Sequence, residues 1–583
     1  MDQDLEQMMG LLGEFGPYQM RQFVLLLFAG GTAGVHMLSL VFVAATPDHR
    51  CLIPDIENKT TALFNSSEAA DYIPRTESGG MDMCHYYGPN ETLLTCNDWV
   101  YDKTYHVSSR AIEWDFVCSR RWMGAVAQSA YMFGVFTGAV VLGSLADRYG
   151  RKKIFYISAV LQLLLGVGVA FVPEYYSFLF IRYLFGIFGS AGSYITGFVI
   201  TMELVGPSKR TICGISFQAA FAVGVMLVAF WGFLIPDRQL LQIVYGLHSL
   251  LLIGHWWLID ESPRWLWSQG RTREAVAVVE KALHMNQGKR ESDEAPLDVA
   301  HYVSKGRVVD DRNMSLAPNG RPAGASSGGG ILDLFRTPNL CKKTLNVSLN
   351  WFANSIVYYG LSLNTGKLFG NPFLLLFLVG LVEWPSYMTT VYLMDRTGRR
   401  PLISALMVLG GISCITAAYI PQDTTAGSVS ATTIVMIGKF LIAGSFAIIY
   451  NYTAELFPTV VRNTAIGVGS MFARLSGALT PLISLLDSVD TKLPTTIFAF
   501  ISIISGLLSL LLPETLNQPM PQTLEEGERF GVGDTACSSC FGKRAESDDK
   551  EVTFTEENQM PLANVIPKES KDALRERKSY DIS

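Results

Sequence analysis

The sequence predicts an all-α membrane protein with twelve transmembrane helices in two pseudo-symmetric six-helix bundles. Three observations carry that prediction. The 583-residue chain is 49% hydrophobic with a mean hydropathy of +0.26, and only 17% of its residues are charged, against about 25% in soluble domains. Twelve apolar runs are long enough to cross a hydrocarbon core of about 30 Å as helices. A charged turn, "LADRYGRKK" at 145–153, returns almost unchanged as "LMDRTGRR" at 393–400, with Asp147 and Asp395 248 residues apart.

Residues 1–21 are read as a cytoplasmic N-terminus. The first span, 22–45, is too long for a leader peptide and runs through "AATP" into a loop, so it reads as a retained helix. Residues 46–121 form that loop, with Cys51, Cys84, Cys96 and Cys118 and three N-x-S/T sequons at Asn58, Asn65 and Asn90. An even cysteine set predicts two disulfides, with three pairings possible, on an oxidising face where the sequons accept glycans. Spans 2–6 at 122–145, 154–172, 177–201, 212–235 and 240–259 complete a first bundle, 22–259.

Residues 260–343 are a linker. The stretch "SPRWLWSQGRTREAVAVVEKALHMN" is amphipathic, with Ala275, Val278, Val279 and Leu283 on one face, and predicts helices lying on the membrane surface. "APNGRPAGASSGGG" is flexible by composition. Spans 7–12 at 344–364, 372–394, 401–420, 432–453, 463–486 and 494–512 build a second bundle, 344–512. The tail, 513–583, is polar with little periodicity and predicts disorder over most of its length. Cys537 and Cys540 in its "CSSC" read as reduced thiols or acylation sites, since a zinc site would need two more ligands.

The short loops "DRYGRKK", "PSKR", "DRTGRR" and "VVRN" are basic and share one face if the spans alternate, whereas "VPEYY", "IPQDTTAGS" and "LDSVDTKLP" carry few cations. The positive-inside rule therefore puts both termini in the cytoplasm.

The duplication extends beyond the turn. "MELVGPSKR" at 202–210 matches "AELFPTVVR" at 454–462, so Glu203 to Glu455 and Arg210 to Arg462 both span 252 residues, and "IDESPRWL" is echoed by "LPETLNQP". Parallel repeats of this kind build carriers that rock two halves about a mid-membrane site. Gly150 and Gly398 permit the tight turn. The charges predict ion-pair networks between the halves that close a cytoplasmic gate. One half supplies Asp147, Arg148, Arg151, Glu203 and Arg210; the other supplies Asp395, Arg396, Arg399, Glu455 and Arg462. Topological anchoring alone would leave the aspartates without purpose.

A charge inside a span is costly unless paired or hydrated, so it marks a functional site. Glu383 in "LVEWPSYM" and Arg474 in "SMFARLSGALTP" stand out. A carboxylate attracts a cation, and a guanidinium holds a carboxylate bidentately. Aromatic faces attract methylated ammonium groups. Trp351, Tyr358 and Tyr359 in span 7 and Phe446 and Tyr450 in span 10 supply them. His36, His248 and His255 lie in spans without an acidic partner on their own helix and read as packing residues. "GGTAG" lacks the lysine and strand of a phosphate loop, and no metal cluster, catalytic triad or nucleic-acid motif is present, so no enzyme activity or cofactor is expected.

"GSLADRYGRKK" resembles the signature of the major facilitator superfamily. The ordered series "GEFGPYQMRQF", "ATPDHRC", "EWDFVC", "ESPRWLWSQGR", "AELFPTVVRN" and "LPET" resembles the organic cation, anion and carnitine transporters of that superfamily, up to about residue 520. The resemblance implies that Tyr358, and Gln218 and Phe221 in "SFQAAFAVG", line a binding cavity. It also implies that a basic Arg474 suits anion and carnitine carriers, while Tyr387 stands where anion carriers often have lysine. The reading is a plasma-membrane secondary carrier of small organic cations or carnitine-like zwitterions working by alternating access. Organic anion exchange is the alternative, and a receptor or adhesion protein the remote one. Sodium and proton coupling both stay open, and the partners expected are the lipid bilayer and a small organic ion.

Overall fold

The computed structural model describes residues 3–54, 56–59, 61–75, 81–88, 91–287, 331–364, 369–421, 424–518 and 520–534. Asn90, Cys537, Cys540 and the glycine-rich linker stretch lie outside these residues. All twelve apolar runs are helical. Among the described residues, nine helices are long and apolar enough to cross a membrane, from Pro17–Val43 to Arg462–Ser488. The other three runs depart for local reasons. The sixth breaks at Ser249 and Gly254 into Arg238–Leu247, Leu250–Ile253 and His255–Leu258. The seventh, Pro338–Leu363, carries Asn346, Asn350 and Asn354, and the twelfth, Leu493–Ser509, has 17 residues.

Span starts are set by cap chemistry. Asn371 accepts from the Phe373 amide at 2.9 Å just before Pro372, and Asp237 accepts from the Leu240 amide at 2.8 Å, satisfying donors that the first helical turn leaves without an acceptor. In span 4 the backbone widens to an i→i+5 pattern over Ile187–Ile195, a form that recurs at functional sites.

The duplicated turns are duplicated in geometry as well. Gly150 has φ 113° and Gly398 has φ 91°, a region L-residues with a Cβ avoid. Each turn feeds a helix whose first amides are capped by a carboxylate from beyond the last span of the same half. Glu261 accepts from Arg151 and Lys152 at 3.1 Å, and Glu514 accepts from Arg399 and Arg400 at 3.0 Å. These two acids belong to the echoed stretches "IDESPRWL" and "LPETLNQP". A Cβ on either glycine would come within 2.7 Å of its carboxylate.

The surface helices of the linker form at Pro263–Ser268 and Thr272–Gln287. Ala275, Val276, Val279 and Ala282 are buried, while Val278 and Leu283 are only partly so, so the contact face is turned slightly from the expected one. Asn286 at its end accepts from the Tyr18 amide at 2.8 Å, at the start of span 1. Within the tail, the described residues 513–518 and 520–534 are ordered. A helix at Leu524–Arg529, with a Thr523/Glu526 capping box, packs Phe530 against the core of the second half. Six helical residues are too few to show a periodicity.

The loop 46–121 is held by Cys51–Cys96 and Cys84–Cys118, with Cα separations of 5.5 and 5.7 Å. Two small antiparallel pairs, His49–Cys51 with Trp99–Tyr101 and His85–Tyr87 with Leu93–Thr95, form beside them. Asn58 and Asn65 are exposed.

Between the halves, spans 5 and 8 and spans 2 and 11 pack closely. Ser129 donates to the Ala478 carbonyl at 2.8 Å. Toward the disulfide-loop face, Arg121 pairs with Asp487 at 2.5 Å, and the Phe373 ring packs tilted against Phe42 at 4.8 Å.

Candidate functional site

A cavity of about 80 Å³ lies between the halves. Span 1 contributes Met37, span 2 Met132, span 4 Ser190 and Tyr194, and span 5 Gln218 and Phe221. The second half contributes Tyr358, Tyr359, Tyr387, Phe446, Tyr450 and Arg474. The wide turn of span 4 is what delivers Ser190 and Tyr194. Of the sequence-derived binding residues, Tyr358, Tyr359, Phe446, Tyr450, Gln218, Phe221 and Arg474 therefore meet at one place.

Two do not reach it. Trp351 is fully buried behind the wall, 4.3 Å from the Tyr450 ring and 6.0 Å from Phe446, and its indole donates to Thr453 at 3.0 Å. It holds the aromatic wall in place rather than forming it. Glu383 is also fully buried and away from the cavity. Its carboxylate accepts from Tyr358 at 2.7 Å and Tyr387 at 2.9 Å, and pairs with Lys439 at 3.0 Å. Lys439 in turn donates to Ser362 at 2.7 Å. The acid is thus engaged with span 7, span 8 and span 10, and it reaches the cavity only through two tyrosines. Nor does it pair with Arg474.

Among the described lining residues, Arg474 is the single ionised side chain. One of its Nη atoms donates to Ser470 at 3.1 Å, while its buried Nε has no hydrogen-bond partner. Gln218 Oε1, on the opposite half, is likewise buried without one. An unmade hydrogen bond on a buried group is costly, so a ligand that accepts from Arg474 and donates to Gln218 gains both. The aromatic faces beside them are set by Tyr358 and Phe446, stacked at 5.8 Å, with Tyr359 edge-on to Tyr358 at 5.3 Å. Quadrupoles of such rings present negative faces to a cation.

Two further charges escape the sequence reading. Lys439 in "IGKFLIAG" and Arg182 in "FIRYLFG" lie inside spans, and the rule that singles out Glu383 applies to both. Arg182 is fully buried, donates to Gln128 at 3.1 Å and lies over the Tyr131 ring at 4.7 Å.

The charges expected to form a gate pair in two copies of one network, each inside its own half, where the sequence leads to pairs between halves. Arg151 binds Asp147 at 3.2 Å and Glu203 at 2.8 Å. Arg399 binds Asp395 at 3.5 Å and Glu455 at 2.9 Å. Arg210 and Arg462, each seven residues after its glutamate, turn back on the preceding helix end, Arg210 to the Val205 carbonyl at 3.3 Å and Arg462 to the Phe457 carbonyl at 3.4 Å. Arg148 and Arg396 lie over the rings of Tyr149 and Tyr392, at 5.3 and 4.2 Å. The reason is packing: the end of span 4 lies beside the start of span 3 in one bundle, and span 10 beside span 9 in the other.

Comparison with known proteins agrees with this architecture. Residues 87–525 match the family model described as sugar (and other) transporter. The chain is 39% identical over 533 residues to an organic cation transporter protein of Drosophila melanogaster, covering 89% of this chain and 94% of that one. It is 34% identical to solute carrier family 22 member 16 of Xenopus laevis, covering 91% and 95%. Among solved structures, its fold is similar to that of the xylose transporter XylE from E. coli. In the inward open conformation of XylE the TM-score is 0.53 at 16% identity, over 87% of this chain and 98% of that one. A two-half helical bundle around a central cavity, continuous similarity over nine-tenths of the chain and the matched family model lead to one conclusion: the chain belongs to the sugar (and other) transporter family, within its solute carrier family 22 group.

Proposed function

We propose that this secondary carrier moves small organic cations or zwitterions, best a methylated ammonium joined to a carboxylate as in carnitine, across the plasma membrane by alternating access. The observation that carries the reading is a cavity with one guanidinium, Arg474, beside a wall of tyrosine and phenylalanine. Arg474 takes the carboxylate in a charge-assisted, bidentate pair. Phe446 and Tyr450 take the ammonium at about 0.5–2 kcal/mol per ring, while the Tyr358 ring already lies under the Lys439 ammonium, 3.1 Å from its centroid. The Glu383–Lys439 pair keeps Tyr358 and Tyr387 oriented and adds no net charge to the site. The relatives named organic cation transporters support the cationic end. A plain dianion is disfavoured, because the ring faces repel it.

In this reading the basic face is cytoplasmic and the disulfide loop with Asn58 and Asn65 is extracellular; the loop charges and the oxidised cysteines support that orientation. The test is uptake of radiolabelled carnitine, a tetraalkylammonium and a dicarboxylate by cells expressing the protein, with and without Arg474→Ala. Carnitine uptake abolished by the substitution supports the reading. Absence of any uptake with surface expression confirmed overturns it.

A further inference from the structure

Three distant segments meet on the basic face of the second half: the start of span 7, the turn before span 9 and the ordered part of the tail. Glu528 of the tail sits at the N-terminus of the helix Pro338–Leu363. Its carboxylate accepts from the amides of Asn339 at 2.9 Å and Leu340 at 2.8 Å, and from the Thr337 hydroxyl at 2.6 Å. Those amides are among the four that a helix start leaves without an internal acceptor. Lys343 donates to the carbonyls of Gly527 at 2.9 Å and Phe530 at 2.6 Å. Asp534 lies 3.2 Å from Arg400 and accepts the Glu514 amide at 3.1 Å. Upstream on the same segment, Thr515 donates to Glu455 at 2.6 Å, so the tail is tied to the Arg399 gate network. The tail is a latch, and Glu528 is its catch.

We propose that Thr337 is a phosphorylation site whose modification releases this latch. Thr337 precedes Pro338, the dipeptide that proline-directed protein kinases accept, and is half-buried with an extended backbone, φ −118° and ψ 146°. Its hydroxyl oxygen attacks the γ-phosphorus of a nucleoside triphosphate. The new O–P bond forms, the bond to the nucleoside diphosphate breaks, and the hydroxyl proton passes to the kinase's base. The kinase acts on the fraction in which the latch is locally open.

The product places a dianion at the helix N-cap. An oxygen on the N-cap side chain accepts from the second or third helical amide, and these are the Asn339 and Leu340 amides that Glu528 now holds. Phosphate carries about −1.5 to −2 charges at neutral pH and is favoured at a helix N-terminus. Two anions on the same amides repel, so the phosphate takes the seat and Glu528 leaves. The inference rests on the cytoplasmic orientation proposed above, and its test reads the latch rather than transport.

The experiment treats the full-length protein in lipid nanodiscs with a proline-directed kinase and Mg-ATP. Phosphate at Thr337 is read by mass spectrometry, and trypsin cleavage after Arg529, inside the latch helix, is timed. Phosphorylated protein and Thr337→Glu are expected to be cut at least about tenfold faster than unmodified protein, because cleavage tracks the open population. Thr337→Val, which removes the hydroxyl alone, moves the rate less than Thr337→Glu. Unchanged cleavage in phosphorylated protein overturns the proposal. So does failure to incorporate phosphate at Thr337 even in Glu528→Ala, where the catch is already loosened. If Thr337→Glu does not fold, phosphorylated wild type carries the test.

Discussion

Lys439 lies 3.0 Å from Glu383, and both side chains are fully buried. The pair joins span 10 to span 8, and the Tyr358 hydroxyl joins span 7 to the same carboxylate. Breaking a buried pair by removing one partner leaves an uncompensated charge and costs about 3–5 kcal/mol, whereas replacing both by apolar residues is often neutral. Glu383→Gln and Lys439→Met are therefore expected to lower thermal stability in detergent strongly, and the double variant Glu383→Leu/Lys439→Met to recover most of it. Single variants as stable as the double would show that the two groups do not act as a pair.

Arg474 is expected to behave in the opposite way. Its Nε is buried without a partner, so Arg474→Ala removes an unsatisfied donor and stability holds or rises. A hydrogen bond to a charged group is worth about 1.5–3 kcal/mol, so apparent affinity for a carboxylate-bearing substrate falls roughly 10- to 150-fold. Competition by a tetraalkylammonium, which has no carboxylate, stays within a few-fold. Equal losses for both ligands would place the residue's effect on the fold.

The two turn glycines make a paired test. Gly150→Ala and Gly398→Ala each force a positive φ on alanine and set a Cβ 2.7 Å from the capping carboxylate of Glu261 or Glu514. Each is expected to destabilise by about 1–3 kcal/mol, read by thermal unfolding. Gly467→Ala in span 11 serves as control: among the described residues, nothing lies within 4 Å of the added methyl, and helix propensity favours alanine by about 0.5–1 kcal/mol.

Arg121 and Asp487 bridge the halves at 2.5 Å near the disulfide-loop face. Arg121 is 42% exposed, so the pair itself contributes under about 1 kcal/mol, but reversing one charge adds repulsion at the same place. Arg121→Glu is expected to raise labelling of a cysteine placed at Ser355, in the cavity wall, by impermeant thiol reagents from that face. The swap Arg121→Glu/Asp487→Arg should restore the wild-type rate. Labelling indifferent to both variants would mean that this contact does not bias the closed face.

Much of the molecule is legible in the chain itself. Apolar run length locates the twelve helices. The offset of 248 between Asp147 and Asp395 exposes the duplication, and seven of the nine residues expected to bind substrate line one cavity. The failures share a cause. Glu203 and Arg210 are expected to reach toward the other half, but each takes a partner set by packing within its own half, Arg151 and the Val205 carbonyl. Lys439 stands in an apolar run where its charge is visible, yet nothing local to span 10 names Glu383 as its partner. The helix Leu524–Arg529 in the tail stays hidden because six residues have no period to detect.

Read alone, the chain locates its apolar helices, groups the basic turns on a single face and reveals that one bundle is built twice. These follow from hydrocarbon thickness and from the cost of charge in lipid, both of which act on each segment alone. The assembled bundle alone sets that Glu383 answers to Lys439, that Arg474 is the single charge among the described residues lining the cavity, and that each charged-turn network closes within its own half. Periodicity sets which side of a helix is apolar; the neighbour that side meets depends on how twelve helices rotate and tilt against one another, and that is a property of the assembled bundle.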